Sequence, residues 1–363
     1  MVTATPPDRF GTLDALRGIA ALVVAAEHLG GRGPFFGLQF FANGMFFVDF
    51  FFALSGFVIA ASYAERLQSG FPPMRFLWLR VGRVWPVHIV MLMAYLAVEL
   101  LVLFTGHALT GREAFGPERE PLQFAAQVLL LQSWSISVEM VLYVIATLLW
   151  GKFRRGCLLA WLVMAVAAGV VMHLWTLEIG MYFKLARGFA GFGLGVVAYA
   201  AWQRWGHVLE TAPCGAMSAL ELLCVIVILA AVHTAGENPV FGLYSLLFAV
   251  TVLVFAAARG LVSWLLLMRA PMFLGTISYS IYMVHTLVES GIASISAKVA
   301  GLMGLGHWFY IPQGNSRPGL LADLFSAFLL LCVIPVAWLM YRLVEAPARD
   351  WSRRVAPRIA KAR

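Results

Sequence analysis

The chain has 363 residues, of which 61% are hydrophobic and 12% charged. Soluble globular domains carry about 25% charged residues, so this chain has too little charge to cover a water-facing surface and is read as solvated by lipid. Its net charge of +8 does not point to nucleic acid, because the basic residues lie between apolar runs and near the C-terminal end, the placement that orients a membrane protein.

Ten apolar segments can be drawn in chain order, at roughly 12–30, 43–63, 84–104, 121–150, 157–175, 183–203, 216–234, 239–258, 272–296 and 320–343. Each can cross about 30 Å of hydrocarbon at 1.5 Å per residue. The fourth is too long for one straight crossing and is expected to tilt, to break near Ser133, or to be two elements. The expected fold is an all-α integral membrane protein, a bundle of about ten transmembrane helices. It is read as one transmembrane domain over 1–363, with helices within 12–343 and a basic tail over 344–363.

Charge sets the orientation. With the N-terminus cytoplasmic, the inside segments hold roughly threefold more Lys and Arg than the outside loops, which places both termini in the cytoplasm. The first apolar run is broken by Asp14 and Arg17, so it is not a cleavable signal. Cys157, Cys214, Cys224 and Cys332 show no metal-ligand spacing and read as small packing residues, so no metal is expected. Gly191 and Gly195 have the small-xxx-small spacing that lets helices approach closely.

The ionisable residues inside these spans carry the information, because a charge at bilayer depth costs at least about 2.5–3.5 kcal/mol. Counted from the cytoplasmic end of each span at 1.5 Å per residue, His28 lies about 24 Å deep, Asp49 about 21 Å and His285 about 20 Å. Glu139 lies about 16 Å deep and Arg17 about 8 Å. Arg80 and Arg83 stand at the cytoplasmic mouth of span three. Glu27 adjoins His28 but points about 100° away around the helix, so the two need not share a face. An outer acid–base layer thus faces an inner basic layer. That suits a substrate with a phosphorylated head in the cytoplasm and a reactive tip near the other face. A histidine beside a carboxylate can take a proton from an attacking hydroxyl. Plainer readings stand next to these. His28 also reads as an interfacial histidine with a water partner, His285 as a structural one, Asp49 as the partner of a neighbouring arginine, and Arg80 and Arg83 as ordinary inside charges.

Five motifs, in order, give the chain a family resemblance. They are Leu16-Arg17-Gly18-Ile19-Ala20-Ala21 followed by His28; GMFFVDFFFALSGFVI over Gly44–Ile59; Arg80-Val81-Gly82-Arg83-Val84-Trp85-Pro86; Trp134-Ser135-Ile136-Ser137-Val138-Glu139; and LGTISYSIYMVH over Leu274–His285. Together they resemble the acyltransferase-3 family of bacterial membrane acyltransferases. The resemblance implies transfer of an acyl group, usually acetyl, from cytoplasmic acyl-coenzyme A, with no metal. It implies acceptors that are hydroxyls of a sugar or polysaccharide, including lipid-linked ones, and a place in the bacterial inner membrane. It implies His28 as the catalytic histidine and Arg17, Arg80 and Arg83 as residues serving the donor. Two departures from the family pattern stand out. Leu130-Leu131-Gln132-Ser133-Trp134 runs straight into Ser135-Ile136-Ser137-Val138-Glu139, where relatives commonly place a polar loop. No hydrolase-like domain follows the last span, so the membrane domain is expected to act alone.

The expected mechanism makes His28 the general base and Asp49 the residue that orients it. Ser137, Tyr279 and Tyr282 are candidates for oxyanion stabilisation, and His285 and Glu139 complete the candidate site. The rival class is a proton-coupled transporter that uses His28, Asp49 and the arginines as a relay.

Overall fold

In hydrocarbon a single segment satisfies its own backbone hydrogen bonds only as a helix. The computed structural model, which describes residues 10–31, 33–105, 114–115, 134–152, 156–174, 180–235, 240–304 and 319–359, contains helices and turns and no strand among those residues. In chain order the helices are α1 (Gly11–His28), α2 (Gln39–Ala42), α3 (Phe47–Gln68), α4 (Pro73–Thr105), α5 (Trp134–Lys152), α6 (Cys157–Leu174) and α7 (Met181–Thr211). There follow α8 (Cys214–His233), α9 (Phe241–Phe255), α10 (Leu261–Leu266), α11 (Arg269–Thr276), α12 (Ser278–Leu302), α13 (Leu320–Met340) and α14 (Ala346–Ile359). A 3-10 turn, Gly44–Phe46, opens α3, and a π turn, Tyr341–Glu345, joins α13 to α14.

Seven stretches among the described residues are long and apolar enough to cross a bilayer: Gly44–Gln68, Pro73–Thr105, Trp134–Gly151, Cys157–Leu174, Tyr182–Thr211, Cys214–His233 and Leu320–Pro357. The other three expected spans form helices that fall short of this measure. α1 holds Asp14, Arg17 and Glu27, α9 has 15 residues, and α12 carries Glu289, Lys298 and a series of serines. The single span drawn over 272–296 is corrected to two helices that part at Ile277. The front of the fourth span, 121–133, lies outside the described residues. Apolar side chains left exposed on helix faces, such as Leu159, Val163, Val166 and Val170 on α6, are the surface that lipid tails solvate.

The chain divides into two compact units. The first comprises 1–24, 39–70 and 148–279. At its centre α3 packs on α7, and α6 and α9 pack against α7 in turn. Glycines permit this approach. A Cβ on Gly195 would lie 2.0 Å from the Ala53 carbonyl oxygen, and one on Gly56 would lie 2.1 Å from that of Phe192. Gly191 faces Phe52 and Asp49 in the same seam, so the glycine spacing on α7 is a helix-packing device. Cys157 and Cys224 are buried, whereas Cys214 is exposed at the start of α8 and is not a packing residue.

The second unit comprises 25–38, 71–147 and 280–363. Its helix α4 has 33 residues, or about 50 Å of length, well beyond the hydrocarbon thickness. The excess lies at its N-terminal end, where it packs on α14. The contact is close because Gly82 faces Ser352, whose Cβ would be 2.2 Å from an added Cβ, and Trp78 Nε1 donates to the Ser352 carbonyl at 3.1 Å. Residues 346–359 of the basic tail are therefore a helix seated on the arginine-bearing end of α4.

Candidate active site

The last turn of α1 delivers Glu27 and His28 into the second unit. Glu27 Oε2 lies 3.0 Å from His28 Nδ1, with the histidine side chain 44% exposed and the glutamate 26%. Adjacent helical side chains diverge by about 100°, but at this last turn of α1 the two side chains nevertheless meet. A carboxylate on Nδ1 selects the tautomer whose lone pair is on Nε2.

His285 meets His28 edge to face, with ring centroids 4.8 Å apart. It is 4% exposed, and its Nδ1 lies 2.7 Å from the Tyr282 carbonyl oxygen, one turn back on α12. Tyr282 in turn shares a 2.8 Å hydrogen bond between its hydroxyl and Ser135 Oγ. One turn of α12 thus holds both the second histidine and a hydroxyl aimed at α5.

That hydroxyl opens on a cavity of about 210 Å³ among α4, α5 and α12. Its wall from α4 is His88, Met91, Leu92 and Tyr95, spaced as one helix face. Trp134 and Ser135 close it from α5, and Tyr282 and Thr286 from α12. A 2.6 Å hydrogen bond joins Tyr95 to Thr286 across it. An indole, four hydroxyl side chains on three helices and a buried imidazole make the lining mixed rather than oily.

The remaining expected site residues are placed as follows. Glu139 and Ser137 are half-buried on α5, and Glu139 accepts a hydrogen bond from Tyr143, which packs on Phe76 of α4. Arg80 and Arg83 are half-buried on the first third of α4, with the Arg80 guanidinium 5.8 Å from the Phe76 ring centroid. Tyr279 is half-buried and belongs to the first unit.

Asp49 and Arg17 also belong to the first unit. Asp49 is fully buried and accepts from Arg187 at both oxygens, at 2.6 Å and 3.3 Å, while the same guanidinium reaches the Met45 carbonyl at 2.9 Å. The carboxylate found on His28 is that of Glu27. Arg17 pairs with Asp14 at 3.0 Å and donates to Ser278 Oγ at 2.8 Å and the Gly275 carbonyl at 3.1 Å. Gly18 and Gly275 let the two backbones touch, since a Cβ on either would fall within 2.5 Å of the opposite chain. Two of the sequence motifs therefore meet at one joint, where Arg17 caps the Gly275 carbonyl at the C-terminal end of α11.

Sequence reading had passed over Arg187, Ser135, Tyr95 and Glu289. Arg187 and Glu289 carried a usable signal, since both are ionisable residues inside apolar segments, and Glu289 follows His285 by one helical turn. Ser135 stands within the fourth motif, and Tyr95 carried no signal.

His28 is thus paired with the Glu27 carboxylate and meets the His285 ring in a lipid-solvated helix bundle. Residues 10–346 match the acyltransferase-3 family, described as an acyltransferase domain. The chain belongs to this family. The family match runs through both units and takes in most of the stretches able to cross a bilayer. Over 107 residues it is 38% identical to protein 2 in the picA locus of Rhizobium radiobacter, a stretch covering 28% of this chain and 52% of that protein. The chain thus spans about half the length of that curated relative. No solved structure matches the chain. Among the described residues no three His, Cys, Asp or Glu side chains are grouped as for a metal ion.

Proposed function

We propose that this acyltransferase moves an acyl group, usually acetyl, from cytoplasmic acyl-coenzyme A to a hydroxyl of a sugar or polysaccharide in the bacterial inner membrane, with His28 as general base. The observation that carries the reading is the Glu27 carboxylate 3.0 Å from His28 Nδ1. It leaves Nε2 as the basic nitrogen and steadies the imidazolium that forms. The half-exposed ring suits a base that must meet an incoming hydroxyl.

The acceptor O–H proton passes to His28 as its oxygen forms a bond to the thioester carbonyl carbon. The C–S bond then breaks, and the leaving thiolate takes the proton back. Of the three candidate oxyanion donors, Tyr282 is the one supported by geometry. Its backbone anchors His285 and its hydroxyl lines the cavity. The indole and hydroxyls of that cavity suit a sugar ring. Arg80 and Arg83, on the long end of α4, suit the phosphates of the donor. Asp49 and Arg17 take structural roles, because each is engaged by strong local partners.

The test is a thermal-shift titration of the purified protein in detergent with acetyl-coenzyme A. Saturable stabilisation that survives in His28→Ala and falls in Arg80→Ala/Arg83→Ala supports a donor site separate from the base. No stabilisation of folded protein by acetyl-coenzyme A or longer acyl thioesters overturns the reading and favours a transporter.

A further inference from the structure

Two hydroxyl pairs line the cavity of the second unit. Ser135 and Tyr282 meet at 2.8 Å, and Tyr95 and Thr286 at 2.6 Å. The first pair joins α5 to α12 and the second joins α4 to α12. Tyr282 and Thr286 stand one turn apart on α12, so the pairs share a helix face and lie about 6 Å apart along its axis. Hydroxyl pairs between membrane helices can act as packing glue. These four residues, however, are half-buried and line a cavity, whereas Met91 and Ile136 beside them are buried. The Trp134 indole and those apolar side chains give the same cavity a non-polar wall. His285, whose ring meets His28 at 4.8 Å, lies between Tyr282 and Thr286 in the chain.

We propose that this cavity seats a single terminal sugar residue of the acceptor, and that Tyr95 and Thr286 select which sugar it takes. The inference deepens the acyl-transfer reading and rests on it. Pockets for drug-sized ligands measure about 300–1,000 Å³. This one measures about 210 Å³, room for one pyranose ring rather than for two linked ones. The acceptor is therefore a simple glycoside or the end of a glycan, not the interior of a polysaccharide chain. A pyranose carries hydroxyls around its edge and C–H groups on its faces. Its edge spans the two hydroxyl pairs, and a face rests on the indole. In each pair either oxygen can be the donor, so the pair can reverse to meet a sugar oxygen as donor or as acceptor. Tyr282 is already assigned to the developing oxyanion, which leaves Tyr95 and Thr286 to read the sugar. A site built to hydrogen-bond a hydroxyl rejects the analogue that lacks it, because the site's own polar groups are then left unpaired.

The experiment supplies radiolabelled acetyl-coenzyme A and single methyl pyranosides to the full chain, purified in a detergent without a sugar head. The panel holds hexosides, deoxyhexosides, pentosides, N-acetylhexosaminides and uronides. Label is expected in at least one of them, and the matching methyl disaccharide is expected to give no higher kcat/KM. The best pyranoside is then compared with its monodeoxy analogues. Wild type is expected to reject one analogue by roughly 10-fold or more, and Tyr95→Phe or Thr286→Val to erase most of that discrimination. Thr286→Ser, which keeps a hydroxyl, is expected to preserve part of it. Melting temperatures confirm that each variant is folded. Label in no pyranoside, from a protein that acetyl-coenzyme A stabilises, sinks this inference alone. So does a clear preference for the disaccharide, or discrimination that is the same in wild type, Tyr95→Phe and Thr286→Val. A folded wild type that acetyl-coenzyme A does not stabilise overturns the acyl-transfer reading, and this inference with it.

Discussion

Glu27 Oε2 stands 3.0 Å from Nδ1 of His28, its neighbour in the chain. Two consecutive residues at the end of one helix thus form a carboxylate–imidazole pair, the pair proposed above to hold the base. General-base contributions run to about 10²–10⁴-fold, so His28→Ala is expected to cut turnover by about 100-fold or more. Glu27→Gln keeps an acceptor for Nδ1–H but removes the charge, and an intermediate loss is expected. Both are read as label transferred from acetyl-coenzyme A in membranes. Wild-type rates in both variants would remove His28 from the mechanism.

The two histidines differ sharply in access. The His28 side chain is 44% exposed, whereas His285 is 4% exposed with Nδ1 against a backbone carbonyl. Diethyl pyrocarbonate is expected to modify His28 well before His285, as followed by peptide mass spectrometry of the native protein. Modification of His285 first would contradict the packing of α12.

The buried pair of Asp49 and Arg187, 0% and 2% exposed, makes a clear stability prediction. Removing one partner leaves the other charge uncompensated, so Asp49→Ala or Arg187→Ala is expected to cost about 3–5 kcal/mol. The double variant Asp49→Leu/Arg187→Met is expected to recover most of that, because apolar replacement of a buried pair is often near neutral. If the role of Asp49 is structural, the double variant also keeps its acetyl-transfer rate. Melting temperature and label transfer, measured on the same preparations, separate the two roles.

Asp323, at the start of α13, accepts the backbone N–H groups of Phe35 and Phe36 at 2.9 Å and 2.8 Å. It fixes the turn that follows His28, and Gly33 leaves room for its carboxylate. Hydrogen bonds to a charged group contribute roughly 1.5–3 kcal/mol each, so Asp323→Ala is expected to lower the melting temperature measurably. Gly33→Ala is expected to do the same, since a Cβ there would lie 2.1 Å from the Asp323 carboxylate. Thermal unfolding of the two variants against wild type checks both.

The sequence by itself determined that this is a lipid-solvated helical protein, because a chain with 12% charged residues cannot cover a soluble surface and hydrocarbon admits only closed hydrogen bonding. It also marked His28 and His285 as residues of similar depth, because a helix rises a constant 1.5 Å per residue, and their rings meet at 4.8 Å. Depth, however, says nothing about direction. Each residue turns the helix by about 100°, and a span end uncertain by two residues moves a side chain to the opposite face. Only the tertiary structure therefore decided which acid meets which base. Glu27 lies on His28, Arg187 takes Asp49, and Arg17 closes the end of α11. The break at Ile277 and the docking of α14 on α4 were likewise decided there. Each depends on which helices come close enough for a glycine or a buried charge to matter, and that distance is set by packing between segments far apart in the chain.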